Sequence, residues 1–191
     1  MEEQANNSKM WAWIVVGVIV VAVIVYLGVT GGFDFGPTTD PETVNEQQGL
    51  SEETGTSPVS EEGLVLQQNS DEPARNDVEP MSPEAPQQSN PISEDDVPAS
   101  AVRVTMTRDG GLTPSSFTVN GGSAVTLSIT SGDAFTHIFA FRDTELQAVA
   151  VGVGPGETRA ITFNAPTASG EYEFYCNVPG HAQETGVMIV Q

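Results

Sequence analysis

Gly170-Glu171-Tyr172-Glu173-Phe174-Tyr175-Cys176-Asn177-Val178-Pro179-Gly180-His181, followed by Gly186-Val187-Met188-Ile189-Val190, is the stretch that decides this fold. Its two ends read as strands, and Pro179-Gly180 turns the chain between them. Cys176 is the single cysteine of 191 residues, so it has no disulfide partner within the chain. His181 is one of two histidines; the other, His137, sits upstream in Asp133-Ala134-Phe135-Thr136-His137-Ile138-Phe139. One thiolate and two imidazoles brought to a point suit copper, because soft sulfur favours Cu(I) and imidazole accommodates both oxidation states.

Outward from this stretch the apolar pattern has period two. Val102, Val104 and Met106 alternate with Arg103 and Thr105, as on a half-buried strand. Asp109-Gly110-Gly111 and Asn120-Gly121-Gly122 are turn signals around Phe117-Thr118-Val119. Ala124 to Ile129, His137 to Phe141 and Arg159 to Phe163 supply further strands, with a Gly-rich stretch through Gly152, Gly154, Pro155 and Gly156. No segment after residue 98 has helical period. The expectation is an all-β protein, an antiparallel sandwich of about seven short strands.

These residues also resemble a known family. Gly170 to His181 with Gly186 to Val190 is similar to the last two strands and ligand loop of the cupredoxins. Leu112-Thr113-Pro114, Phe117-Thr118-Val119, Gly121-Gly122 and Val125-Thr126-Leu127 resemble that family's opening strands. The resemblance spans residues 101–191. It implies a Greek-key sandwich with one mononuclear type 1 copper, and His137, Cys176 and His181 as its three equatorial ligands.

The chain departs from the family at the axial position, where plastocyanins and azurins have methionine. Taking Gly186 as the glycine that opens the last strand puts Glu184 in the axial register; counting from His181 as in azurin gives Thr185. Met188 lies two residues into the strand, where core packing is the ordinary role. Glu184 is the favoured ligand, and a hard carboxylate there stabilises Cu(II), lowering the reduction potential and shifting the colour from blue towards green or red. Ile138 stands where relatives commonly have an Asn that locks the ligand loops together. Asp133 is expected to cap the turn before His137 and to have no metal role.

The rest of the chain divides by composition into a short cytoplasmic N-terminus (1–10), a transmembrane helix (11–29), a disordered acidic linker rich in Pro, Glu, Ser and Gln (30–99) and the folded domain (100–191). Residues 11–29 are nineteen in a row without charge, enough for a helix to cross a bilayer, with Trp11, Trp13 and Tyr26 near its ends. The run is longer than the apolar core of a signal peptide, and no small-x-small cleavage site follows it. Lys9 precedes the segment and no Lys or Arg follows until Arg75, which places the N-terminus inside and the domain outside, periplasmic or extracellular. The linker has sixteen acids, one base and nine of thirteen prolines, so most of the net charge of −20 belongs to it. As a coil it would span about 45–50 Å.

No basic patch exists to hold nucleic acid. Two histidines and one cysteine are too few for the additional coppers of a reductase or oxidase, which argues against an enzyme. The expectation is a membrane-anchored, monomeric electron carrier serving redox protein partners on the outer face; the alternative is copper storage, delivery or sensing without electron transfer.

Overall fold

The computed structural model describes residues 55–181 and 184–191. The segment 11–29 lies outside them; among the described residues no helix is long and apolar enough to cross a membrane. Among the described residues nine strands form in chain order: β1 (Val102–Thr107), β2 (Gly111–Thr113), β3 (Ser116–Val119), β4 (Ala124–Ser131), β5 (His137–Phe141), β6 (Ala150–Val153), β7 (Thr158–Asn164), β8 (Gly170–Cys176) and β9 (Thr185–Val190). The only helical turns among the described residues are two 3-10 turns, Glu94–Asp96 and Thr144–Leu146. Two strands exceed the expected set. One is β2, hidden beside a turn signal; the other is β6, where Val151 and Val153 alternate inward around Gly152.

The strands make two sheets, one ordered β2-β1-β4-β7 and one ordered β3-β9-β8-β5-β6. Alternation predicts an antiparallel sandwich; instead each sheet contains one parallel pair, β1 with β4 and β3 with β9. Period-two patterning assigns faces, not directions. Because β2 and β3 lie in different sheets, the chain crosses over before β4 and returns to β1 running the same way. Between the sheets Phe139, Phe163, Phe174, Met106, Leu127, Ile129 and Ile161 are wholly buried and form a single core.

The expected disordered linker over 30–99 holds only in name for its second half. Its residues up to 54 lie outside the described ones, but 55–99 follow a definite path with Val65, Ala85 and Ser89 fully buried. The path runs along β6 and β7, the two strands with a free edge on that side of the sandwich. Ser89 N–H donates to the Ala160 carbonyl at 2.7 Å, Ile92 N–H to Thr158 at 2.9 Å, and Gly152 N–H to the Gln88 side chain at 3.0 Å. Asn164 accepts from Val65 N–H at 2.9 Å and donates to its carbonyl at 3.1 Å, so one side chain imitates a strand partner. Composition rich in Pro, Gln and Ser signals a segment that cannot build its own core. It gives no sign that the segment can satisfy the unpaired edges of another.

Candidate metal centre

At one end of the five-stranded sheet the central strands β9, β8 and β5 terminate together. The order β9-β8-β5 puts Cys176, at the end of β8, between His137, at the start of β5, and Glu184, just before β9. His181 enters from the turn between β8 and β9, where Gly180 adopts φ 91°, a conformation natural only to glycine. Ligand atoms of His137, Cys176, His181 and Glu184 all lie within 4.8 Å of one another, and all four side chains are buried.

Backbone hydrogen bonds hold this constellation. Cys176 N–H donates to the Glu184 carbonyl at 2.9 Å, and Glu184 N–H to that of His181 at 3.1 Å. Asn177 N–H donates to the Ile138 carbonyl at 2.8 Å, so the two ligand segments are locked by main chain where Ile138 has no side chain able to do it.

Both imidazoles present Nδ1 to the centre. Sγ of Cys176 stands 3.8 Å from Nδ1 of His137 and 3.5 Å from Nδ1 of His181. That is the separation of donors sharing an ion with bonds of about 2.0–2.3 Å. The Glu184 carboxylate spans the pair, with Oε2 2.8 Å from Nδ1 of His137 and Oε1 2.8 Å from Nδ1 of His181. Despite the second distance, Oε1 has no aligned hydrogen bond and is fully buried. A carboxylate oxygen and an imidazole nitrogen that approach closely without a proton along the line between them suit two ligands of one cation. The donor set therefore fits a metal: soft thiolate and two imidazoles suit copper, and the carboxylate adds a hard anionic donor.

In the metal-free chain the Cys176 thiol is pushed up to about 11, mainly by burial, with the Glu184 carboxylate adding; the amides of Ile138 and Val178 pull the other way. Cation binding reverses this, because a coordinated thiol is deprotonated.

The axial alternatives separate by side-chain direction. Thr185 is exposed. Met188 is wholly buried in the core and paired in register with Tyr172, four residues from Cys176 and hence about 13 Å along β8. Glu184 alone of the three reaches the centre.

One participant is not expected from sequence. Asp133 does cap its turn, its Oδ1 accepting from Phe135 N–H at 2.9 Å, but the same oxygen lies 2.9 Å from Nε2 of His137. Burial alone would raise its pKa; the Arg108 amide, the His137 ring and the Phe135 amide outweigh that and bring it down to about 2. An Asp four residues ahead of a histidine has no periodic signature in a loop, so nothing local distinguishes it from a turn cap.

His137 is sealed off while His181 lies at the rim, its ring met edge-on by Phe135 with centroids 6.2 Å apart. Phe135 is 42% exposed, whereas Phe139 is core. Arg108 lies over the Phe135 ring, 4.9 Å from its centroid.

A family model described as a cupredoxin-like domain matches residues 85–190. Solved structures with similar folds include a reduced auracyanin from Roseiflexus castenholzii, at 22% identity and TM-score 0.42, covering 49% of this chain and 98% of that one. Auracyanin A, a "blue" copper protein from Chloroflexus aurantiacus, has 21% identity and TM-score 0.39, covering 48% and 98%. Amicyanin from Paracoccus versutus has 27% identity and TM-score 0.41, covering 53% and 92%. No curated protein matches the chain.

Proposed function

This chain belongs to the cupredoxin-like domain family, and from that premise we propose that it carries single electrons on one copper ion held by His137, Cys176, His181 and Glu184. The observation that carries the reading is the convergence of four buried donors, one of them the only thiol in the protein, on one point at the end of a rigid sheet. When bound, copper would supply a one-electron couple between Cu(II) and Cu(I).

The protein's own residues do the rest. Cys176, His137 and His181 set a compact donor triangle, and the backbone bonds between β5, β8 and β9 resist its rearrangement when the charge changes. Glu184 adds a negative charge in a dry pocket, which favours the more highly charged state and lowers the potential. Phe139 and the apolar core behind Cys176 keep water away. His181, at the rim beside exposed Phe135, is the edge from which an electron has the shortest path to a partner. Electron-transfer encounters need little buried area, so this small face suffices.

The carrier acts on the outer side of a membrane, tethered through 11–29, with redox proteins as its partners and no catalysis of its own. The uncharged nineteen-residue run and the charge placement around it support the tether. Copper storage or delivery is the second reading; burial of all four donors behind main-chain hydrogen bonds favours retention of the ion over its exchange.

The test is an optical and EPR titration of the full chain with Cu(II), beside Cys176→Ser, His137→Ala and His181→Ala. An intense thiolate-to-copper band that needs all three residues, with copper retained through repeated reduction and oxidation, is expected. Binding without that band, or loss of the metal on each cycle, would replace electron transfer by copper handling. Fractionation of cells making the full chain and a chain lacking 1–30 checks the tether.

A further inference from the structure

Behind the imidazole of His137, on the side away from Cys176, the β4–β5 loop is bolted to the end of β1. Gly132 N–H donates to the Met106 carbonyl at 2.9 Å, and a Cβ on Gly132 would stand 2.7 Å from the Thr105 methyl, so the loop lies flush against that strand. Ser131 Oγ donates to the Phe135 carbonyl at 2.8 Å. Next to it the Asp133 carboxylate meets three groups. Oδ2 accepts from Arg108 N–H at 2.7 Å, Oδ1 accepts from Phe135 N–H at 2.9 Å, and Oδ1 lies 2.9 Å from Nε2 of a completely buried His137. Two backbone amides from different loops therefore fix the carboxylate before it meets the ring.

We propose that Asp133 is a positioning residue for the metal centre: its carboxylate holds the proton of His137 on Nε2, fixes the ring with Nδ1 towards the ion, and tunes the copper towards Cu(II). The inference rests on the reading of His137 as a ligand. A ligand imidazole whose far N–H is held by a carboxylate is a stronger donor, and loss of such a partner typically weakens metal affinity about 10–100-fold. The gain falls more on the dication than on Cu(I), because a fixed negative charge interacts more strongly with the higher charge. His137 is thereby flanked by two carboxylates, Glu184 on the Nδ1 side and Asp133 on the Nε2 side. Among the described residues no carboxylate meets Nε2 of His181, whose Nδ1 faces Glu184, so the two imidazoles are unequal donors.

The test compares the full chain with Asp133→Asn and Asp133→Ala, measuring Cu(II) and Cu(I) dissociation constants by competition, the reduction potential, and the thermal stability of the metal-free forms. The expected result is at least a tenfold fall in the Cu(II)-over-Cu(I) preference, equivalent to a rise in potential of about 59 mV or more. A lower melting temperature with an unchanged affinity ratio would mean that Asp133 merely ties loops together, and would overturn the proposal. If the variants do not fold, the wild-type chain decides by NMR. An exchange-protected proton on Nε2 of His137, in metal-free and Cu(I)-loaded protein, is expected, and its absence overturns the proposal. Should the wild-type chain take up no copper, the electron-carrier reading fails, while the metal-free spectrum still decides where the His137 proton sits.

Discussion

Oε2 of Glu184 stands 2.8 Å from Nδ1 of His137, a residue 47 positions earlier in the chain, and both side chains are completely buried. They meet because β5 and β9 flank β8, so the start of one strand and the approach to the other open onto the same end of the sheet. A buried carboxylate costs free energy unless it is paired. Placed between two imidazoles and a thiol, it would neutralise a cation held there.

Glu184→Gln keeps the size of the side chain and removes its charge. The copper-loaded variant is expected to favour Cu(I) at least tenfold more than the parent, raising the potential by about 59 mV or more. Glu184→Met is expected to move further in the same direction and to turn the absorption bluer. Voltammetry and visible spectra of the two variants check this; an unaltered spectrum and potential would remove Glu184 from the copper.

The thiol of Cys176 makes the metal-free chain sensitive to alkali. Its pKa is raised from the ordinary 9.0 to about 11, so below pH 9 it is protonated in both folded and unfolded chains and costs nothing. Between about pH 9 and 11 the unfolded thiol ionises while the folded one resists, and stability falls. Urea midpoints across this range are expected to drop more steeply for the parent than for Cys176→Ser. Parallel profiles would show that the thiol is not held back by burial. Cu(II) uptake releases this proton, so affinity for the ion is expected to rise with pH through the neutral range.

At the acid end the sign reverses. Asp133, brought down to about 2 from the ordinary 3.8, adds stability that is complete above pH 4 and is lost as the pH falls towards 2. Acid unfolding of the metal-free chain is expected to be shallower in Asp133→Asn over that interval, as followed by circular dichroism.

Gly186 has no room for a side chain. A Cβ there would lie 2.6 Å from the Ser115 carbonyl and would overlap the ring of Phe174, its register partner across β8. Gly186→Ala is expected to destabilise the chain by about 1–3 kcal/mol. Because Glu184 is two residues away, weaker copper binding should accompany it. Urea unfolding measures the first effect, and an unmoved midpoint would refute the packing argument.

Asn164 ties residues 55–99 to the sandwich through Val65, and its own carbonyl accepts from the Asn76 side chain at 2.7 Å. Asn164→Ala deletes the two side-chain bonds, at a cost of about 1–2 kcal/mol. Limited proteolysis is expected to reveal new cuts between residues 57 and 84, with the copper spectrum unchanged. Equal resistance in parent and variant would mean that the segment is held by its other contacts alone.

Three of the four donors were legible in the chain itself. A single cysteine and two histidines leave little choice of soft and borderline ligands, and the period-two runs around them mark strands whose ends can carry them. Those signals are local, which is why they survive in one dimension. Glu184 is already favoured by counting back from Gly186, but the choice among the axial candidates, like the features that follow, required the folded molecule. Whether Glu184, Thr185 or Met188 faces the centre depends on a one-residue phase at the start of β9, and one step along a strand sends a side chain to the opposite face. Asp133 became more than a turn cap when the end of β1 supplied the Arg108 amide that aims it at His137. The path of residues 55–99 was invisible for the same reason. Its partners are the free edges of β6 and β7, and an edge exists as a row of unpaired backbone groups after strands have assembled into sheets.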